Sequence, residues 1–411
     1  MQNFTKSHIK SLRPAATLAI NEKCKKLRAE GKKIFNFGFG GSPFSIPDKI
    51  VSALKNNAHK KEYLASVGLK ELRDVIARYL NKNSNTDYKQ EDIIIGPGTK
   101  QLMFLLQLGF DGEFIFPTGS WVSYEPQAII AKNKVHWIQT SRQNNWFPKP
   151  DDIEKKIKNI KSKNIILFIN SPNNPSGAVC KNLKEIAEIA KKHKIIILSD
   201  EIYTQLQFDG KYDSVSKYYP EGTIVSSGLS KWLGAGGWRL GFFAVPHQLK
   251  TILKMLQILS SESLSAVSAP IQYAAVEAFS NDFSDFIKKT RNILFSVGNF
   301  VYNNLKSNNV LINPPQGGFY IMPEFLNSKF KNSGEMCDDI LKKTGVALLP
   351  GSDFGFKPNK MLTRLSYTDF DGENFLKNYD GSNNLDDDFI KKFAPNVVEG
   401  TKRLAEWSKT L

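Results

Sequence analysis

The chain has 411 residues, more than one hydrophobic core usually organises, so two domains are expected. Its formal net charge of +16 comes from lysines scattered through stretches such as KKIKNIKSKN and KNLKEIAEIAKK. With no basic stripe and no interleaved aromatics, the charge argues against nucleic acid as a partner. No apolar run reaches membrane-spanning length, the first ten residues carry no secretory core, and Cys24, Cys180 and Cys337 are too few and too dispersed for a disulfide framework or a zinc site, so no membrane association, no metal and a cytoplasmic location are expected.

In chain order, a helix over 18–29 follows Pro14, and FGFGGSPF (37–44) reads as a Gly-rich loop. Ile- and Val-rich runs at 92–95, 113–116, 135–138, 164–169, 194–198, 223–226 and 240–245 alternate with helical patterns. That alternation predicts an α/β fold, a mostly parallel sheet with helices on both faces. Four of these runs lead into unusual segments: IIIGPGTKQ, ILFINSPNNPSG, IIILSDEIY and IVSSGLSKWLGAGGWR. Ligands of open α/β sheets collect at the carboxyl ends of strands, so these four exits are where chemistry is expected. After about residue 280 a long helical stretch, short strands and a final helix indicate a smaller α+β domain. The expected division is 1–45 as an arm and part of the small domain, 46–285 as the large domain, and 286–411 as the rest of the small domain. The tract DGENFLKNYDGSNNLDDDF (371–389) is poor in apolar residues and reads as a surface loop, its acidic run at 386–388 suiting a helix N-terminus better than a metal. The role of the acidic segment 371–388 stays open.

Lys231 follows a strand, beside Ser230 and ahead of Gly234, Gly236 and Gly237. A lysine in so basic a chain is ordinarily a solvated side chain, and its neighbours argue otherwise. Ser230 and Arg239 offer donors to a phosphate, and the glycines permit close backbone approach. Asp200 ends another strand with Tyr203 three residues on, and Asn174 sits in NSPNNPSG. These residue types meet the needs of pyridoxal 5′-phosphate (PLP): an amine to form an imine, a carboxylate to keep the ring nitrogen protonated, and donors to the phenolate oxygen.

The ordered series YLASVGLKELR, GPGTKQ, PTGSWVSY, NSPNNPSG, SDEIY, SGLSKWLGAGGWRLG, GGFY, VALLPGSDFG and RLSY resembles the class I/II aminotransferases of PLP fold type I, the family of aspartate aminotransferase. The resemblance implies that Lys231 carries the cofactor, Asp200 meets the pyridine nitrogen, and Asn174 and Tyr203 meet the phenolate oxygen. It further implies that Trp121 stacks on the ring, and that Gly98 and Thr99 form the phosphate turn with Ser230 and Arg239. Tyr63 would reach the phosphate of a neighbouring subunit, which implies a homodimer with shared active sites. Arg364 would grip the substrate α-carboxylate, with Gly40 in the loop over the substrate. Lys100 and Thr17 align with residues that contact a distal carboxylate in one bacterial branch, which points to aspartate or another dicarboxylic amino acid exchanging its amino group with a 2-oxo acid such as 2-oxoglutarate.

Three features depart from the family pattern. Gly228 stands where many relatives have Ser, so one phosphate donor is missing or comes from Ser226 or Ser227. The loop FGFGGSPF replaces a Gly-x-Pro-Asp-Phe type, and Ala15 stands where the dicarboxylate branch often has Ser. Aromatic or methionine transamination, or carbon–sulfur lyase or α-oxoamine synthase chemistry, are the alternatives on the same fold. A PLP-binding transcription regulator would need an N-terminal helix-turn-helix, for which the first ten residues leave no room. A dehydrogenase is disfavoured because no βαβ unit with a spaced acidic residue frames FGFGG.

Overall fold

The computed structural model describes residues 4–10, 12–381 and 385–411. A two-residue strand, β1 (Phe35–Asn36), precedes the strands of the main sheet: β2 (Ile93–Gly96), β3 (Glu113–Pro117), β4 (Val135–Ile138), β5 (Ile165–Asn170), β6 (Ile196–Asp200), β7 (Thr223–Gly228) and β8 (Gly241–Ala244). Their spatial order is β2-β8-β7-β6-β5-β3-β4. β8 is antiparallel to both of its neighbours and the remaining pairs are parallel, so six strands point their carboxyl ends the same way. All seven expected strand runs are present, with ends shifted by one or two residues.

The sheet is buried on both faces, which explains the unbroken apolar runs of its strands. Along β5, Ile165, Leu167 and Ile169 join one apolar cluster with the helices Pro150–Lys158 and Leu183–Lys192. Ile166 and Phe168 join the opposite cluster with the helices Thr99–Gly109 and Lys250–Ser263. This alternation is the period of two that a strand imposes.

The chain's carboxyl third contributes β9 (Val310–Leu311), β10 (Tyr320–Ile321), β11 (Glu324–Phe325), β12 (Val346–Ala347), β13 (Leu349–Pro350) and β14 (Thr363–Ser366). β10, β14 and β13 form one antiparallel sheet, and β1 pairs in parallel with β12. The pairing of β1 with β12 joins the N-terminal segment to the C-terminal region. One apolar cluster containing Phe35, Ile76, Ile293, Tyr367 and Trp407 runs across the division expected at 285–286. Among the described residues no helix is long and apolar enough to cross a membrane.

The first long helix is Ala16–Ala29, beginning two residues before the expected 18, because the Ala15 carbonyl already accepts from the Leu18 and Ala19 amides. The reading of 371–389 as a surface loop is corrected. The segment holds the helix Gly372–Asn378, whose Phe375 is fully buried against Phe389 and Phe393. Two aromatic residues spaced for one buried face outweighed the low apolar content of the tract. The run at 386–388 does start a helix: the Asp386 side chain accepts from the Phe389 amide at 2.7 Å, and Asp388 pairs with Lys391 at 2.8 Å. Residues 382–384 of that tract lie outside the described residues, as do residues 1–3 of the N-terminal stretch.

Gly228 closes β7 against β8. A Cβ there would sit 2.7 Å from the Leu240 carbonyl oxygen and 2.8 Å from the Gly241 Cα, both backbone atoms that cannot swing aside. The glycine at this position is thus fitted to the close approach of β7 and β8 where β7 ends. Gly228→Ser is expected to destabilise the protein by about 1–3 kcal/mol through overpacking, measured by urea denaturation. Wild-type stability in that variant would refute the contact.

Candidate active site

A cavity of about 600 Å³ opens at the carboxyl ends of β2, β5, β6 and β7, lined by residues from all four expected exits. Thr99 and Lys100 follow β2, Asn174 follows β5, Asp200 and Tyr203 close β6, and Ser230 and Lys231 follow β7. Trp121 and Arg239 complete the sheet side, while Thr17, Gly40 and Arg364 come from the N- and C-terminal parts of the chain. Two expected residues do not line it. Gly98 lies immediately behind, where a Cβ would meet the Arg239 guanidinium at 2.2 Å, and Tyr63 is 92% exposed.

Asp200 is buried, and its Oδ2 accepts from the Tyr124 hydroxyl at 2.7 Å. Its Oδ1 is buried with no hydrogen-bond partner in the protein. Burial pushes the carboxyl from the ordinary 3.8 up to about 6, opposed by the bonds from Tyr124 and the Ile202 amide and by Lys231. An orphaned carboxylate oxygen facing a cavity suits a ligand that brings an N–H or a positive charge. Tyr124 was not among the residues singled out from the sequence, although SWVSY contains it. The signal was its spacing of three from Trp121, which places both rings on one side of a helix start, 5.6 Å apart.

On the opposite wall Arg364 is buried, 1% exposed. Its guanidinium donates to the Asn174 Oδ1 at 3.2 Å and to the Gly38 carbonyl, while its Nε is buried with no partner. Burial lowers its pKa, and the nearby Asp353 carboxylate acts in the other direction. A planar fork with a free N–H matches a carboxylate. Because the Asn174 oxygen is taken by Arg364, its amide nitrogen is left to donate to an anionic ligand atom. Lys231 Nζ donates to the Gly40 carbonyl at 2.8 Å and lies 5.7 Å from the Tyr203 ring centre. Burial holds the Tyr203 phenol well above its ordinary pKa, so it stays a protonated donor.

The third corner is cationic. Gly98 has φ 82°, a left-handed conformation that turns the chain from β2 into the helix Thr99–Gly109 and aims that helix's first amides at the cavity. Arg239 packs over this turn, with its guanidinium on the Gly236 carbonyl at 2.9 Å and the Pro97 carbonyl at 3.3 Å. Burial, and then the Arg239 charge, lower the Lys100 pKa, and the ammonium lies 5.6 Å from the Trp121 ring centre. Together these groups form a site for a dianion such as a phosphate. The suggestion that Ser226 or Ser227 adds a donor here is corrected. Ser226 is fully buried without a partner, Ser227 donates to the Glu201 carbonyl at 3.3 Å, and neither lines the cavity.

Asp200 and its neighbour Glu201 both titrate above their ordinary range, to about 6 and about 7, chiefly through burial. The folded chain therefore binds protons that the unfolded chain has released, and these two groups favour folding less as pH rises from about 4 to about 7. Asp200→Asn keeps the acceptor for Tyr124 and removes the charge. In cofactor-free protein it should raise stability at pH 7.5 by on the order of 1–3 kcal/mol, with the gain vanishing below about pH 4. Calorimetric melting at the two pH values measures this, and a destabilised variant at pH 7.5 would contradict it.

Comparison with known proteins agrees with this geometry. The aminotransferase class I and II family profile matches residues 32–376. A probable aspartate/prephenate aminotransferase of Aquifex aeolicus is 33% identical over 384 residues, covering 89% of this chain and 95% of the relative. The aspartate aminotransferase of Geobacillus stearothermophilus is 33% identical over 376 residues, covering 87% and 93%. Among solved structures, aspartate aminotransferase from Thermus thermophilus with maleate superposes with a TM-score of 0.84 at 25% identity, covering 98% of this chain and 100% of that one. On the family profile and these relatives, this chain belongs to the class I and II aminotransferases.

Proposed function

We propose that the protein binds pyridoxal 5′-phosphate on Lys231 and transfers the amino group of a dicarboxylic L-amino acid, aspartate in the first instance, to a 2-oxo acid such as 2-oxoglutarate. The observation that carries the cofactor is the set of complementary needs in one cavity: the orphaned Asp200 oxygen, the Lys231 amine and the cationic turn at Thr99 and Arg239. When bound, the cofactor supplies an electron sink for the pair left behind at the substrate Cα. Asp200 Oδ1 would hold the proton on the ring nitrogen that keeps this sink effective. Thr99, Ser230, Arg239 and the helix amides would hold the phosphate, Trp121 would cover the ring, and Asn174 and Tyr203 would donate to its anionic oxygen.

Arg364 takes the substrate α-carboxylate with its free Nε–H and orients the Cα hydrogen. With the cofactor bound and the substrate amine in place of its own, Lys231 Nζ would be the base that accepts that proton. The Gly40 carbonyl, 2.8 Å from Nζ, gives the freed amine a fixed place. Lys100 and Thr17 at the cavity's outer side suit a distal carboxylate, and the related Thermus enzyme was solved with maleate, itself a dicarboxylate. Leu18 and Phe39 line the same mouth and are 55% and 37% exposed, which favours an aromatic or apolar side chain as a second class of substrate. We further propose a homodimer in which the exposed Tyr63 serves the partner's phosphate, and a small domain of 1–45 with 286–411 beside a large domain of 46–285.

A spectral half-reaction tests the reading. Aspartate or glutamate should convert the visible absorbance of the lysine-bound cofactor to that of its amine form, and Lys231→Ala should abolish the covalent link that borohydride traps. If neither amino acid changes the spectrum, transamination is wrong. Lys100→Ala should lower kcat/KM for aspartate by about 10- to 100-fold, as expected for loss of a charge-assisted contact, and change an apolar amino acid by less than about 3-fold. Equal losses for both would remove Lys100 from side-chain recognition.

A further inference from the structure

Tyr320 lines the cavity and was quoted in GGFY without a role. It lies on β10, where antiparallel pairing sets it opposite Ser366 of β14. Arg364, two residues along β14 from that partner, is its diagonal neighbour on the same face. The Arg364 guanidinium carbon sits 4.7 Å from the Tyr320 ring centre. The Tyr320 hydroxyl lies 3.0 Å from that of Tyr203 and 3.4 Å from the Gly40 carbonyl, and the two tyrosine rings meet edge to face at 5.7 Å. The position is tightly determined: Tyr320 is 1% exposed, and a Cβ on Gly40 would come within 1.9 Å of its hydroxyl oxygen.

Each phenol has one proton. If Tyr203 spends its own on a ligand atom in the cavity, the short bond between the hydroxyls is made by Tyr320, which donates to the Tyr203 oxygen. A donor that is itself an acceptor becomes a stronger donor, because hydrogen bonds in a chain polarise one another. The ring of Tyr320 meanwhile gives the buried Arg364 a π face in place of the water it has lost.

We propose that Tyr320 is a positioning residue joining the two halves of the site, its hydroxyl strengthening Tyr203 as a donor to the cofactor's anionic oxygen and its ring carrying the arginine that meets the substrate carboxylate. The inference rests on the cofactor reading above. The charged groups facing this corner are Lys231, Asp200 and Arg364, with Asp353 acting on Arg364 from the β13 side.

The test is a pH titration of the visible absorbance of the holoenzyme. A donor to the anionic oxygen lowers the pH at which the lysine-bound nitrogen loses its proton. Tyr320→Phe, which keeps the ring, should raise that midpoint by about 0.5–1 pH unit, the effect of one neutral hydrogen bond. In a Tyr203→Phe background the same change should move it by less than about 0.2, because the route through Tyr203 is gone. Tyr320→Leu, which removes the ring, should raise KM about ten-fold for the amino acid and the 2-oxo acid alike. A Tyr320→Phe midpoint equal to wild type, or an undiminished shift in the Tyr203→Phe background, overturns the hydroxyl's part. Unchanged KM in a Tyr320→Leu protein with wild-type circular dichroism overturns the ring's part. A wild-type protein with no pH-dependent visible band would overturn the cofactor reading itself, a failure distinct from these.

Discussion

Asp200 and Glu201 stand side by side at the end of β6, both buried, and their carboxylates are treated in opposite ways. Alternation along the strand sends them to opposite faces of the sheet. Glu201 accepts from the Ser199 hydroxyl at 2.8 Å, from Tyr212 at 3.3 Å and from Ser214, so both its oxygens are bonded. Asp200 accepts from one hydroxyl, that of Tyr124, and from the Ile202 amide, and keeps one oxygen orphaned. A buried carboxylate oxygen without a partner is costly, and Ser199 and Ser214 around the adjacent Glu201 demonstrate how readily the same fold supplies hydroxyls. The deficit at Asp200 is therefore specific to the face that opens on the cavity. The rest of the site makes sense as what surrounds a ligand able to fill it.

Placing that carboxylate depends on the sheet. Six strands share a direction, so their carboxyl ends converge, and β8 returns between β2 and β7 without adding a seventh exit. Its contribution is close approach. Gly241 lies where a Cβ would meet the Thr99 amide nitrogen at 2.5 Å, and Gly98 lies where one would meet Arg239 at 2.2 Å. Side chains at these two positions would push the helix start and the guanidinium apart. The cationic corner is as compact as it is because glycine on each side lets backbone, arginine and helix amides share one small volume.

Much of this was legible in the sequence, for identifiable reasons. The strands of a sheet buried on both faces announce themselves as continuous Ile-, Val- and Phe-rich runs, and the polar residues that interrupt them at their ends, Asn174, Asp200 and Lys231, are conspicuous by contrast. What escaped was of two kinds. Tyr124 and Tyr320 bear hydroxyls on apolar rings, and in one dimension a buried tyrosine reads as core. The distances of 2.7 Å from Tyr124 to Asp200 and 3.0 Å from Tyr320 to Tyr203 distinguish them, and in the sequence only the spacing of Tyr124 from Trp121 hinted at it. Segment 371–389 failed for another reason: Phe389 and Phe393 share one face of the helix Asp387–Phe393, and Phe375 packs on them only after the chain has turned back on itself. Gly228 was legible as a departure but not as a cause, since the carbonyl it must accommodate belongs to Leu240 on the neighbouring strand.

The two walls of the cavity come from parts of the chain far apart in sequence, yet they are tied by direct bonds. Arg364 on β14 reaches Asn174 beyond β5 and the Gly38 carbonyl of the N-terminal loop, Tyr320 reaches Tyr203 beyond β6, and Lys231 reaches Gly40. Apart from the bond between Arg364 and Gly38, each tie pairs a residue suited to the substrate or its covering loop with one suited to the cofactor. The two walls therefore share single hydrogen bonds: a carboxylate arriving at Arg364 would meet a guanidinium already bonded to Asn174, and the Gly40 carbonyl lies against both Lys231 and Tyr320.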